Sequence, residues 1–476
     1  MIRPFTRKKN AVVKFIAGMT LLVLTITTHA QVPDHTQPFN PDSLSLRKKA
    51  SLYHPQKRFG RAVFELGVAE LVPWLFDRYA MKADYAYISY GTMVRNLKPS
   101  TWAWDNDPFP TNQIGHPFHG SIFFNSFRSN GYNFWQSVPA AFVGSYLWES
   151  LAENQAPAPN DFINTGFAGV MLGEVTHRLA EKIHYSHRKG FIKKAGEVFA
   201  TIINPMDGFN RILDGTWGGT PAYAQRGELP PITMDFDLGA RRFTINNTNP
   251  FADGKFGFFG RIKLNYGSPA KLYKTPFSNF SVVTEFGADD SSGLNIVSVQ
   301  GNITGWKLNM ARNTHLAFIS ANYDYIRNEA FFYSAESVKM NLLSEYELPH
   351  NSKINTYLGL GAIILSAIPD PYRKYLDRNY DYGPGVTFSA GGLLNINDRL
   401  SYNIRYSGGW THTVNGNLSS YYMSTFTNEL TLRLAKTFSL SAESGYFKLK
   451  GYYEDFDDVL KSYPYLRLSA RYGISL

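Results

Sequence analysis

The chain has 476 residues and a formal net charge of +10; 44 % of its residues are hydrophobic, 15 % aromatic and 18 % charged. That apolar content excludes a disordered chain, and the charged fraction falls below the roughly one quarter usual in soluble domains. The absence of Cys excludes a disulfide scaffold, a thiol nucleophile and a Cys-ligated metal.

Residues 1–30 read as a secretory signal peptide. Arg3, Arg7, Lys8, Lys9 and Lys14 lead into an apolar run from Phe15 to Ile26, and Thr28-His29-Ala30 supplies the small residues that cleavage before Gln31 requires. This segment holds five of the ten net positive charges, so the remainder is only mildly basic. No clustered basic helix follows, and no nucleic-acid partner is expected. Residues 31–59 are polar, with several Pro and the run Arg47-Lys48-Lys49, and read as a linker or extended arm.

Residues 60–220 carry a helical pattern and are predicted to form an α-helical domain. The stretches Ala62–Phe76, Ser137–Leu151 and Phe162–Leu179 are short or carry Glu, Pro or His, so they read as core helices rather than membrane spans. Pro99 to Gly120, rich in Pro, Asn and Trp, reads as a loop too long for a passive connector. Asp161 is placed to cap a helix reaching about His184. Within it, Gly166, Gly169 and Gly173 share one face. Each such glycine costs about 1 kcal/mol relative to Ala. The spacing therefore predicts close approach of another backbone, with Ala140, Ala141, Gly144 and Ser145 as the facing small residues.

Two polar constellations stand out here. Glu149, Glu174, His177 and Arg178 are expected to form a buried structural cluster. Glu174-x-x-His177 has the spacing of a di-metal half-site, but its second copy is missing, so no metal is expected. His116, His119, Arg128 and Asp161 are the candidate catalytic residues. The histidines titrate near neutrality and Arg128 offers a fork for phosphate or carboxylate, a set suited to an anionic lipid or glycan. The alternative is that they only fix loop backbone and a helix end. No nucleophile elbow, phosphate loop, dinucleotide fingerprint or His-Glu-x-x-His is present, and no cofactor is expected.

After Gly215 the period changes to two. Leu400, Tyr402, Ile404, Tyr406, Gly408 and Trp410 alternate with Ser401, Asn403, Arg405 and Ser407, and the last segment repeats the pattern down to Leu476. Twelve such segments fill residues 232–476. Their length of about ten residues is the tilted span of an outer membrane. Asn397-Asp398 and Lys436 make minimal turns, whereas Ile368–Tyr382 and Lys450–Tyr463 read as long loops, the asymmetry of outer-membrane barrels. The predicted class is an α+β membrane protein: an N-terminal α-helical domain, then a transmembrane antiparallel β-barrel of about twelve strands over 230–476. Its location is the Gram-negative outer membrane, with the helical domain periplasmic or inside the barrel.

The inward face is predicted to carry Asp235 and Asp237 on the first strand, Arg261 and Lys263 on the second and Glu285 on the third. Glu429 and Arg433, then Glu443, then Arg467 and Arg471 follow on the last three strands. Acids and bases alternate around the wall, which predicts an ion-paired lumen. No single-sign ladder marks ion selectivity.

The blocks His116-Pro117-Phe118…Gly120, Arg128-Ser129-Asn130-Gly131-Tyr132 and Asn204-Pro205…Gly208-Phe209-Asn210-Arg211 carry a family resemblance. They resemble domain of unknown function 3943, found in Gram-negative envelope proteins, over roughly residues 90–215. The resemblance implies envelope location and architecture and brings no activity. Besides a simple pore, two functions stay open. One is an outer-membrane barrel whose helical domain acts as plug, gate or periplasmic docking module, with outer-membrane lipid, a periplasmic protein or a small anionic ligand as partner. The other is an envelope lipid- or glycan-acting hydrolase using the His116/His119/Arg128 region.

Overall fold

The computed structural model describes residues 56–476, apart from 187–188, 220–229, 247–248, 270, 288–292, 311–312 and 374. The signal peptide and nearly all of the polar arm lie outside the described residues. An N-terminal helical region leads into a closed antiparallel barrel of twelve strands.

The helices are α1 (Phe59–Leu75), α2 (Tyr90–Asn96), α3 (His116–Arg128), α4 (Phe134–Leu147), α5 (Pro159–Ile163), α6 (Gly169–His184), α7 (Gly190–Ile203) and α8 (Pro205–Leu213). Local chemistry sets their starts. Ser89 with Thr92, and Asn133 with Gln136, form reciprocal capping boxes on α2 and α4. The side chain of Asn204 accepts the Asp207 amide at the start of α8.

Three local expectations are corrected. Asp161 lies inside α5 and caps nothing; Pro159, whose missing N–H suits a first turn, opens the helix instead. The stretch Pro99–Gly120 is only half loop, because Thr111–Gly115 winds into a π-helical turn that runs into α3. The close backbone approach exists, but its partner is α3. A Cβ on Gly169 would lie 2.6 Å from Gly120 Cα, and one on Gly120 would lie 1.8 Å from the Thr165 carbonyl oxygen. Gly144 and Gly173 instead make room for the rings of Phe123 and Phe124.

The strands are β1 (Ile232–Phe243), β2 (Lys255–Tyr266), β3 (Phe280–Gly287), β4 (Leu294–Met310), β5 (Asn313–Arg327) and β6 (Phe332–Leu348). They continue as β7 (Ser352–Pro369), β8 (Tyr380–Ile396), β9 (Leu400–His412), β10 (Ser419–Arg433), β11 (Phe438–Tyr453) and β12 (Val459–Ser475). Strands β7, β8, β11 and β12 extend into what read as long loops, so those connections are shorter than expected. Asn397 and Asp398 have φ of 49° and 54°, the left-handed pair of a tight hairpin turn. β12 closes on β1, pairing Asp237 with Arg471.

Side-chain parity then decides what faces where. Asp235, Asp237 and Arg241 on β1 point into the lumen, and Met234, Phe236 and Leu238 point out. The outward row Met234, Leu264, Val282, Val299, Tyr323, Glu336 and Leu365 is paired strand to strand from β1 to β7. It begins near the start of β1 and ends near the end of β7, so it crosses the wall diagonally. The helical region packs along this row. Met171, Phe124, Phe134 and Phe109 share one apolar cluster with Leu264, Val299, Tyr323 and Leu365. Phe109 meets the ring of Tyr325 at 5.4 Å, Phe134 that of Phe277 at 5.7 Å, and Trp104 that of Tyr382 at 5.3 Å. The Gln113 side chain accepts from Ser334 at 2.6 Å, and Tyr323 donates to the Gln113 carbonyl. All these barrel residues lie on the outward side. The helical region was expected in the periplasm or inside the barrel; these contacts are made on the outward side of the wall.

Candidate functional site

Three polar groupings were foreseen, one in the lumen and two among the helices. In the lumen, contacts run across the barrel as well as between neighbours. Arg261 reaches Asp237 at 2.9 Å and, across the interior, Glu443 at 2.6 Å. Lys263 reaches Glu429 at 2.7 Å. Arg471 holds Asp237 at 2.6 Å and also pairs with Glu429. Arg467 bridges Glu285 at 2.7 Å and Glu443 at 3.0 Å, and Arg241 adds a 3.2 Å contact to Glu285. Asp235 sits opposite Lys263 in the register. The five acids Asp235, Asp237, Glu285, Glu429 and Glu443 thus face five bases, Arg241, Arg261, Lys263, Arg467 and Arg471, and the centre is electrically balanced. Arg433 is exposed at the end of β10 and stands apart from these pairs. Sequence reasoning missed Arg241; its inward parity with Asp235 and Asp237 was the available signal.

Toward the far end of β1 the lumen becomes aromatic. Phe243, Tyr333, Tyr421, Phe447, Tyr463 and Tyr465 are buried together with Ile363 and Met423. Phe243 stacks on Tyr463 at 5.0 Å, and the Arg467 guanidinium lies 4.0 Å from the Tyr465 ring centre. On the other wall Gln300, Asn341 and Tyr357 hydrogen-bond across strands. Charge pairs below and rings above line this side of the lumen.

Among the helices, the two foreseen constellations are dealt out differently. His116, the first residue of α3, lies 3.3 Å from Asp161, and its other ring nitrogen is 3.3 Å from Thr165 Oγ1. Glu149 joins them from the π-helical turn that follows α4, and accepts the Ala158 amide at 2.9 Å. One ligand atom from each of His116, Glu149 and Asp161 lies within 4.8 Å of the others. Glu149 is therefore not part of the cluster expected with Glu174. Asp105 backs this centre: Asn160 donates to it at 2.6 Å and to Asp161 at 2.7 Å, and Asn112 donates to it at 3.0 Å. Nothing in the local sequence marked Asp105, which sits in an extended segment brought alongside only by the fold.

Burial pushes His116 down to about 4. Burial, reinforced by neighbouring carboxylates, holds Glu149 and Asp161 well above the ordinary range. A neutral imidazole beside protonated acids can pass a proton. With the acids ionised, the same N,O,O donors suit a divalent cation of the zinc or manganese class.

Arg128 is elsewhere, donating to both Glu174 oxygens at 2.7 and 3.2 Å. Arg178 adds a 2.8 Å contact to Glu174 and donates to the Pro276 carbonyl of the β2–β3 connection at 2.9 Å. Burial alone would raise Glu174, but Arg128 and Arg178 outweigh it and hold the carboxyl down to about 2. Arg128 thus spends its fork on Glu174. His177 is half-buried beside this triad and pushed down to about 3, by desolvation first and then by Arg128. His119 packs its ring against Phe123 and Trp148, with Nε2 3.1 Å from the Ala69 carbonyl oxygen. The structure therefore unites His116 with Asp161 and Glu149, and parts them from His119 and Arg128. A further buried knot went unforeseen: His184 sits between Glu197 at 3.0 Å and Asp207 at 2.7 Å, with Lys193 and Arg211 also on Glu197.

Residues 101–206 match the family model described as Domain of unknown function (DUF3943). No curated protein matches the chain. Among solved structures, the chain is similar to the NanC porin, with 11 % identity and a TM-score of 0.28 over 49 % of this chain and 98 % of that one. It is similar to an outer membrane channel from Pseudomonas putida F1, with 11 % identity and a TM-score of 0.29 over 52 % and 96 %. The KdgM porin in complex with disordered oligogalacturonate gives 11 % identity and a TM-score of 0.25 over 50 % and 98 %. The barrel assignment rests on the strand pairing above and not on these likenesses.

Proposed function

We propose that the protein is an outer-membrane scaffold: a closed barrel, residues 230–476, that holds a helical module, residues 60–220, against its wall as a docking unit of the envelope. The observation that carries this reading is the ion-paired, aromatic-lined lumen. Ten charges pair off with one another beneath a buried aromatic layer, which leaves that side of the lumen without net attraction for a small ion; Arg405 on the inner face of β9 is exposed and stands outside these pairs. Twelve strands lie between barrels filled by side chains and the sixteen or so that leave a channel. The partners this reading implies are outer-membrane lipid around the barrel and an envelope protein on the module. The test is conductance in planar bilayers. The purified protein should give no stepwise current, and regular single-channel steps would refute the scaffold in favour of a pore.

One observation favours a second reading, an envelope hydrolase acting on lipid or glycan. Glu149 and Asp161 are buried beside His116, and none of the ion pairs described above joins either acid to a Lys or Arg. Such a centre has the parts for general acid–base work or for a metal-activated water. Its residues are His116, Glu149 and Asp161 in place of the His116/His119/Arg128 set. Replacing His116 by Ala and profiling outer-membrane lipids and glycans by mass spectrometry tests it; an unchanged profile with normal barrel assembly removes the reading.

A further inference from the structure

The helical region is built the wrong way round for water. On α1, Glu65 is fully buried while its neighbour Phe64 is 60 % exposed. Phe59, Val63, Leu71, Val72 and Leu75 join Phe64 on the outer side, and only Ala62, Glu65, Leu66 and Ala69 turn inward. On α7, Glu197 and Lys193 are buried, and Phe191, 78 % exposed, shares the outer side with Val198 and Ile202. On α4 the small residues Ser137, Ala140, Ala141 and Gly144 pack inward, and Trp135 and Val143 face out.

Polar groups inside and large apolar groups outside invert the pattern of a water-soluble domain; the exception on these faces is the exposed Lys194 of α7, whose long stem lets its ammonium reach the head groups. The inverted pattern is the one hydrocarbon demands, since charges there must face the protein interior and pair. The interior does so: Glu65 takes Arg61 at 3.1 Å and Asn130 at 2.8 Å, Glu174 takes Arg128 and Arg178, and Glu197 takes His184, Lys193 and Arg211.

The position of this region agrees with its inversion. Its footprint is the outward row that climbs from near the start of β1 to near the end of β7, continuous with the apolar outer face that carries Leu238 and Leu468. No described helix is long and apolar enough to cross a membrane, so the helices would lie along the wall rather than span.

We propose that the helical region is immersed in the outer-membrane lipid beside the barrel, with the apolar outer sides of α1, α4 and α7 in contact with acyl chains. The occupant of this surface is lipid hydrocarbon, chosen because the surface continues the barrel's own apolar face. The inference does not depend on whether the lumen conducts.

The chain contains no Cys, so single labels are clean. Phe64→Cys, Phe191→Cys and Val198→Cys would carry a nitroxide spin label in the full protein, reconstituted in phosphatidylethanolamine–phosphatidylglycerol vesicles. Leu468→Cys on the barrel's outer face and Asp455→Cys in the β11–β12 connection serve as lipid and water references. The helix labels should collide with oxygen in preference to a water-soluble nickel chelate, as at Leu468. A nickel preference like that at Asp455 would place the helices in water and overturn the proposal. Protection from both reagents would also overturn it, since that marks coverage by protein. The heat-modifiable gel mobility of each variant reports whether the barrel is intact, and Val198→Cys keeps the test alive if a Phe variant fails to assemble.

Discussion

The balanced lumen makes a sharp energetic prediction at Arg467. This side chain is buried and holds Glu285 and Glu443 at once, at 2.7 and 3.0 Å. Replacing it by Met keeps much of the volume and removes one of five positive charges. Glu285 keeps Arg241 at 3.2 Å and Glu443 keeps Arg261 at 2.6 Å, so neither is stranded. Removing one partner of a buried pair costs about 3–5 kcal/mol. The surviving contacts put the expected loss at the lower end, about 3 kcal/mol, or roughly 100-fold in the folding equilibrium. Adding Glu443→Gln restores neutrality, and Gln can still accept from Tyr465, which donates to Glu443 at 2.8 Å. The double variant should therefore lose less than the sum of the singles, by about 1 kcal/mol or more. Urea unfolding in vesicles, followed by tryptophan fluorescence and gel mobility, measures all three variants. A cost for Arg467→Met below about 1 kcal/mol, or additivity within about 0.5 kcal/mol, would refute the idea that these charges act as one neutral unit.

Other expectations are shorter. Gly120→Ala drives a methyl into the Thr165 carbonyl, and should destabilise the α3–α6 contact by about 1–3 kcal/mol or more, seen as faster hydrogen exchange in those helices. Glu174→Gln leaves Arg128 and Arg178 facing each other without their carboxylate, and should cost about 3–5 kcal/mol by the same unfolding assay, whereas a surface pair such as Lys353 with Glu345 should cost under about 1 kcal/mol. Burial pushes His116 and His119 down to about 4 and His177 down to about 3, so up to the unfolded value of about 6.5 these three sites bind more protons in the unfolded chain. Burial also pushes Glu65, Glu70 and Glu153 up to about 7, 8 and 7 and holds Glu149 and Asp161 well above the ordinary range, so these more numerous acids keep protons that the unfolded chain sheds, and the helical region should lose stability as pH rises from about 4.5 to 6.5; hydrogen exchange that slows over that window, after correction for intrinsic rates, would contradict this. Zn²⁺ titrated calorimetrically against the purified protein should bind more tightly at higher pH, because Glu149 and Asp161 must give up protons. His116→Ala should abolish that binding, and a pH-independent or unaffected isotherm would exclude the centre as a metal site.

The barrel was legible because its information is local. Alternation over ten or so residues, as from Leu400 to Trp410, states both the strand and its two faces, and tight turns such as Asn397-Asp398 state the register at the hairpin. Which charge meets which was not legible in the same way. Parity put Arg261 and Glu443 on the inner face, but only barrel closure and curvature bring β2 within 2.6 Å of β11. The helical sites were less legible still. His116, Asp161 and Glu149 lie on three elements, and their meeting follows from Gly120 seating against Thr165 and Gly169. Residues close in sequence parted: His116 meets Asp161, whereas His119, three residues on, is taken by the rings of Phe123 and Trp148 and by the Ala69 carbonyl of α1.

By itself, then, the sequence determined the twelve-stranded wall, its two faces and the helical segment before it, since each is a periodic pattern that a chain writes along its own length. Tertiary structure alone decided on which side of that wall the helices lie. An apolar helix face reads the same whether it will meet a protein core or lipid, and a buried Glu65 reads like any exposed acid until its neighbours are known. The physical reason is that hydrophobic patterning specifies a preference for leaving water and carries no label for what replaces it.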